Sequence, residues 1–249
     1  MFDFEYKKNI QFLRGLSVIL VFLYHTNISY FERGYLGVDI FFVISGFVIT
    51  QRLFQNYERE QKISLINFYS KRIKRIIPNL FFIVGCTYIL YLLFGPPDLS
   101  LWNETLSALL GVSNIYYIVH DIGYFDNVFD DPLAHTWSLG VEEQFYLIYP
   151  LLIFLIFLSK DNKYLKLQII FLFFFSISVI LYKIKLDSDP VSAFFLSPLR
   201  FWELIFGGIL FLNLKRFKKN NLISTFSLLL IILLVFSSFN YDYFYINFI

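Results

Sequence analysis

Apolar residues recur along this chain in runs long enough to cross the roughly 30 Å of a bilayer's hydrocarbon core. They fall at about 11–30, 35–54, 79–95, 137–159, 165–182, 197–214 and 222–240, which predicts seven spanning helices. A shorter run, 104–118, is interrupted by Gly111, Ser113 and Asn114 and fits either a span or a re-entrant segment. Between the second and third runs, Ser64 to Pro78 places Ile66, Tyr69, Ile73, Ile76 and Ile77 on one side of a helical wheel and Lys71, Arg72, Lys74 and Arg75 on the other. That is the pattern of a basic amphipathic helix lying at the membrane interface and stopped by Pro78. The predicted fold is all-α: a polytopic transmembrane helical bundle of about seven spans, one possible re-entrant segment and one interfacial helix. No soluble domain, internal repeat or low-complexity linker is visible, so residues 1–249 read as one integral membrane domain.

Composition agrees with that solvent. Hydrophobic residues make up 57% of the 249 and charged residues 16%, and the mean hydropathy is +0.62, well to the apolar side of a soluble domain. With the N-terminus cytoplasmic and 104–118 re-entrant, 17 of the 21 Lys and Arg fall on the inner side, as the positive-inside rule requires. The chain is therefore expected in the cell's inner or plasma membrane, multi-pass, with an inward N-terminus. The external stretch 95–136 lacks Lys and Arg and carries Asp98, Glu104, Asp121, Asp126, Asp130 and Asp131, an acidic, loop-rich outer surface. The first run carries a histidine and is followed by no small-residue cleavage site, so it reads as an uncleaved span. Cys86, the one cysteine, cannot form an internal disulfide.

Against this background the polar residues inside the apolar runs stand out. Arg14 and His25 lie in the first run, where charge costs roughly 2.5 kcal/mol or more, so such residues face a protein interior or an aqueous cavity. Eleven residues apart, they share one helix face about 16 Å apart along the axis. Asp39 sits at the outer end of the second run, flanked by Gly37 and Gly46, a pattern that also suits close packing of small residues. His135 and Glu142 are seven apart and nearly superimposed on a helix, and the adjacent Glu142 and Glu143 demand partners. Arg200 and Glu203, three apart, either neutralise each other or belong to a site. The basic stretch Lys71 to Arg75 serves lipid headgroups and topology, or else Arg72 and Arg75, three apart and so neighbours, hold the phosphates of a cytosolic cofactor or donor. The three histidines are scattered and no HxxxH, HExxH or CxxC spacing occurs, so no metal is expected. Glycine-rich phosphate loops are absent as well, which argues against ATP or a dinucleotide.

Arg14 with His25, GYLGVDIFFVISGF, FYSKRIKRIIP, HTWSLGVEEQFY and SPLRFWE occur in the order they take in the membrane-bound acyltransferase-3 family, which this chain resembles over about residues 9–210. That family O-acetylates surface polysaccharides and related glycans. The resemblance implies a cytosolic acyl-CoA donor, acetyl-CoA above all, with no bound cofactor, and a carbohydrate hydroxyl as acceptor on the outer side. It places the family's first-span arginine and histidine on Arg14 and His25 and its basic motif on Lys71, Arg72 and Arg75. The catalytic candidates are then His25, Arg14, Glu142 and Asp39. The substrate-binding candidates are Lys71, Arg72, Arg75, His135, Trp137, Arg200 and Glu203. Members of the family commonly have about ten spans, so a chain of seven reads as C-terminally truncated.

Acyl transfer from a thioester to a sugar hydroxyl needs a base with a pKa near neutrality, which suits histidine. His25 would deprotonate the acceptor directly or carry the acyl group itself. Acceptors in view are O-antigen and other lipopolysaccharide glycans, capsule, exopolysaccharide, peptidoglycan and small glycosylated metabolites. The lipid bilayer is the remaining partner, and no nucleic acid is expected. The competing functions are a transporter or channel, since intramembrane charge also marks ion paths, and an inactive remnant.

Overall fold

The structure, a computed structural model, describes residues 4–26, 28–96, 100–124, 131–159 and 162–213. The expected span 222–240, the basic residues 215–219 and the acidic Asp98, Asp126 and Asp130 lie outside them. Every regular element among the described residues is a helix: α1 (Phe4–His25), a 3-10 turn (Ser29–Phe31), α2 (Leu36–Glu60), α3 (Leu65–Phe94), α4 (Leu101–Leu109), α5 (Ser113–Val119), α6 (Thr136–Leu158), α7 (Lys163–Leu186), α8 (Pro190–Phe195) and α9 (Ser197–Asn213). They form two compact units, one of residues 4–41 and one of residues 42–213.

In the first unit, α1 packs against the start of α2 through glycines. A Cβ at Gly34 would lie 2.9 Å from the Tyr24 Cβ and run into the Leu20 carbonyl, and one at Gly37 would lie 2.9 Å from Val21. The polar residues Lys7, Lys8, Asn9, Gln11 and Arg14 keep α1 short of the composition of a membrane span, although it has the length. Five segments do have the length and apolarity: α2, α3, α6, α7 and the run Pro190–Asn213. The chain therefore has a multi-pass helical character.

One expectation is corrected here. Pro78 does not stop the basic helix. α3 runs through it as one helix of 30 residues, joining the amphipathic stretch to the third span. Proline removes one backbone hydrogen bond, and helices in membranes tolerate this where neighbouring groups re-satisfy the freed carbonyls. The Asn79 side chain donates back to the Arg75 carbonyl at 3.2 Å in that same turn. The start of the helix is as expected, with Ser64 as N-cap accepting from the Asn67 N–H at 3.3 Å. Residues 104–118, which fit either a span or a re-entrant segment, make no continuous spanning helix. They form α4 and α5, of 9 and 7 residues, about 14 and 10 Å long at 1.5 Å per residue. Gly111 breaks them with φ +69°, a conformation that costs a side-chain-bearing residue but not glycine.

In the second unit, only 6% of the apolar window of α3 is buried against 61% of that of α2. The outward side chains of α3, among them Phe82, Leu93 and Phe94, suit lipid. Between helices in hydrocarbon, transfer from water contributes nothing, so close backbone approach and van der Waals packing hold them together. α2 and α9 cross this way. A Cβ on Gly207 would run into the Val43 carbonyl and lie 2.6 Å from the Phe47 nitrogen, and one on Gly46 would meet the Leu204 backbone. Gly207→Leu is accordingly expected to lower the unfolding free energy by about 1–3 kcal/mol or more through overpacking. Thermal unfolding of the purified chain in detergent measures this, and an unchanged midpoint would contradict the crossing.

Candidate active site

Histidine 25 ends α1, and its Nδ1 lies 2.8 Å from the Val21 carbonyl oxygen. A carbonyl only accepts, so Nδ1 carries the proton and, in the neutral ring, the basic lone pair is on Nε2. The Tyr24 ring meets the imidazole edge-on at 5.2 Å and packs against Tyr35 at 5.7 Å. Backbone bond and aromatic wall together fix the orientation of a ring that stays half-buried. Arg14 lies on the same helix, its guanidinium 5.3 Å from the centre of the Phe41 ring. It lines an open recess with Gln11, Gly15, Val18, Ile19 and Phe41. Asp39 is half-buried in the first turn of α2, where a carboxylate suits the helix dipole. The first unit thus holds three of the four catalytic candidates.

The second unit holds the rest. Lys71 and Arg75 are exposed on α3, but Arg72 turns inward. Its Nε and Nη2 both donate to Oε1 of Glu143, at 3.3 and 3.2 Å, and Nη2 lies 4.0 Å from Oε2 of Glu142. The guanidinium stacks over the Tyr146 ring, 3.2 Å from its centre. The adjacent glutamates therefore have the partner that their placement in a span demands. His135, at the N-terminal end of α6, is exposed, whereas Glu142 is buried, so helical register alone does not bring them together.

Arg200 and Glu203 pair at 3.2 Å with side chains 6% and 1% exposed. The Arg200 guanidinium lies 5.8 Å from the Phe42 and Trp137 rings and 5.3 Å from that of Phe194. Trp137, Arg200 and Glu203 are all buried. Ser178 of α7 braces the same turn: its hydroxyl donates to the Pro198 carbonyl at 2.6 Å and accepts from the Trp202 N–H at 3.0 Å. That places a side chain inside the helical hydrogen-bond ladder.

Sequence reasoning missed a buried polar cluster. The Asn114 amide donates to the Phe195 carbonyl and the Ser197 hydroxyl, both at 3.0 Å. The Gln144 amide donates to the Gly111 carbonyl at 3.1 Å and to Asn114 Oδ1 at 2.9 Å, and the Ser197 hydroxyl donates to Gln144 Oε1 at 2.5 Å. The α4–α5 break and the α8–α9 break are thus tied to α6, and the carbonyls freed at both breaks find donors, as a low-dielectric interior requires. The available signal was a polar residue recurring inside apolar runs: Asn114, Gln144 and Ser197.

Two groups outside the spans have shifted acidities. Tyr117 donates to Asp131, and burial, then the Asp131 charge, raises its phenol above the ordinary value, keeping it a donor. Asp189 is lowered to about 2, first by the hydrogen bonds from Ser192 and then by Lys185. It stays ionised as the cap of α8, accepting from the Ser192 N–H at 3.0 Å. Among the described residues no cluster of three His, Cys, Asp or Glu has the makings of a metal site.

Helices long and apolar enough to cross a membrane, carrying arginine–glutamate pairs, define a multi-pass membrane protein. Comparison with known proteins supplies the family. The acyltransferase-3 domain model, described as an acyltransferase domain, matches residues 7–249, and the chain belongs to that family. It is 36% identical over 214 residues to the O-acetyltransferase OatA of Staphylococcus aureus, covering 84% of this chain and 35% of that protein. Over 169 residues it is 39% identical to the peptidoglycan O-acetyltransferase OatA of Listeria monocytogenes, 66% of this chain and 27% of that protein. A putative O-acetyltransferase of Staphylococcus aureus is 32% identical over 222 residues, 87% of this chain and 36% of that protein. The chain spans about a third of the length of the curated relatives it matches. No solved structure matches it.

Proposed function

We propose that this chain is the membrane acyl-transfer part of an O-acyltransferase, moving an acetyl group from cytosolic acetyl-CoA to a glycan hydroxyl on the outer face of the plasma membrane. The observation that carries the proposal is His25, whose Nδ1 donates to Val21 and so leaves the basic lone pair of the neutral ring on Nε2, in a chain belonging to an acyltransferase family. The names of the relatives favour peptidoglycan as the acceptor over O-antigen or other lipopolysaccharide glycans.

In this function His25 Nε2 takes the proton of the acceptor hydroxyl while its oxygen attacks the thioester carbonyl. The carbon–sulfur bond breaks and the coenzyme A thiolate leaves, taking up a proton. Passage through an acyl-histidine satisfies the same balance in two steps. On α3, Lys71, Arg72 and Arg75 hold the donor's phosphates, for which a guanidinium fork suits better than an ammonium, and Arg14 in the first unit offers a further guanidinium to an anionic group. In the first unit Asp39 orients the histidine, and in the second Glu142 and His135 bind the sugar. Trp137, Arg200 and Glu203 are buried and act as supports beneath the acceptor.

Sided membrane vesicles test the proposal. The chain is expressed in a host that does not acetylate its peptidoglycan, and the vesicles receive radiolabelled acetyl-CoA and a glycan acceptor on opposite faces. Label is expected on the glycan only when the donor meets the cytoplasmic face. Transfer from the outer face, or no donor-dependent transfer by the chain, would overturn the proposal.

A further inference from the structure

The sequence presents Lys71, Arg72 and Arg75 as one basic motif, but the structure separates them. Lys71 and Arg75 are exposed. Arg72 is already engaged through the Nε–Nη2 edge of its guanidinium, the edge that grips a phosphate or carboxylate with two hydrogen bonds. A single oxygen, Oε1 of Glu143, takes both of them, at 3.3 and 3.2 Å. Glu142 stands 4.0 Å behind, and Tyr146, only 4% exposed, lies beneath the guanidinium and holds its plane. Two carboxylates thus face one guanidinium, and a donor phosphate cannot take the same edge until one of them leaves.

Exposure says which carboxylate yields. The Glu143 side chain is 32% exposed, against 8% for Glu142. Releasing Glu143 uncovers a group that water already reaches, whereas Glu142 is buried and cannot turn to solvent without leaving the interior. We infer that Glu143 is a positioning residue that competes with the donor: it occupies the phosphate-gripping edge of Arg72 when no donor is bound and is displaced when coenzyme A binds, so it sets donor affinity. This inference rests on Arg72 being a donor-phosphate ligand, as proposed above.

The test is titration of coenzyme A against the full 249-residue chain in lipid nanodiscs. Glu143→Gln keeps the size and an acceptor oxygen but removes the charge, and it is expected to tighten binding by about two- to fivefold, the worth of a partly exposed ion pair. A residue with a merely structural role would not produce a gain. Arg72→Gln is expected to weaken binding, and the Arg72→Gln/Glu143→Gln double variant to bind no tighter than Arg72→Gln alone. Glu58→Gln and Glu60→Gln, exposed at the end of α2, are the controls for a general charge effect and should leave binding unchanged. Unchanged or weaker binding by Glu143→Gln, or the same gain in the controls or in the Arg72→Gln background, overturns the inference about Glu143. Undiminished binding by Arg72→Gln, or no binding by the unaltered chain, overturns the donor reading beneath it.

Discussion

Replacing His25 with alanine is expected to abolish acetyl transfer while leaving the chain folded in the membrane. The imidazole bonds the Val21 carbonyl within its own helix at 2.8 Å, and truncating it leaves that carbonyl in its ordinary helical place. Its chemical contribution is far larger, because a positioned general base accelerates such a step by about 10²–10⁴-fold. His25→Gln is the sharper variant. Its amide can reach a neighbouring carbonyl, but it cannot take a proton at neutral pH, so it should be as inactive as alanine. The measurement is ester-linked acetate released from the glycan by mild alkali, with protein amount and detergent-extracted monodispersity matched. More than a tenth of the normal transfer in either variant would remove His25 from the chemistry.

The second large effect is on stability. Arg200→Ala leaves the Glu203 carboxyl, 1% exposed, without its arginine among aromatic rings. Removing one partner of a buried ion pair costs about 3–5 kcal/mol, whereas replacing both with apolar groups of similar volume is often neutral. Arg200→Ala should therefore lower the thermal unfolding midpoint sharply, and Arg200→Leu/Glu203→Leu should recover most of the loss. Tryptophan fluorescence of the purified protein in detergent reads both. A single variant as stable as the unaltered chain would mean that the aromatic shell tolerates a lone carboxyl there. A double variant that is stable and still transfers acetyl would confine the pair to support.

The sequence and the tertiary structure divide the answer along a physical line. Hydrophobic run length is a local property set by bilayer thickness, so α2, α3, α6, α7 and α9 were legible, and Ser64 was recognisable as a helix start. The spacing of Arg14 and His25 on one helix and the order of the motifs were legible for the same reason, and the family followed from them. Where a neighbour had to supply the missing partner, local pattern failed. Pro78 reads as a stop, yet α3 runs through it, and residues 104–118 become two short helices whose break at Gly111 is served by Gln144, which donates to the Gly111 carbonyl and to Asn114 Oδ1. Arg72 is on the polar side of its own helical wheel, yet it turns inward because Glu143 and Tyr146 wait there, 71 and 74 residues further along. The sequence by itself determined which segments prefer hydrocarbon and which charges lie among them. Only the tertiary structure decided which opposite charge each one meets, because burying a charge is tolerable only beside a partner, and partners come from elements distant in the chain.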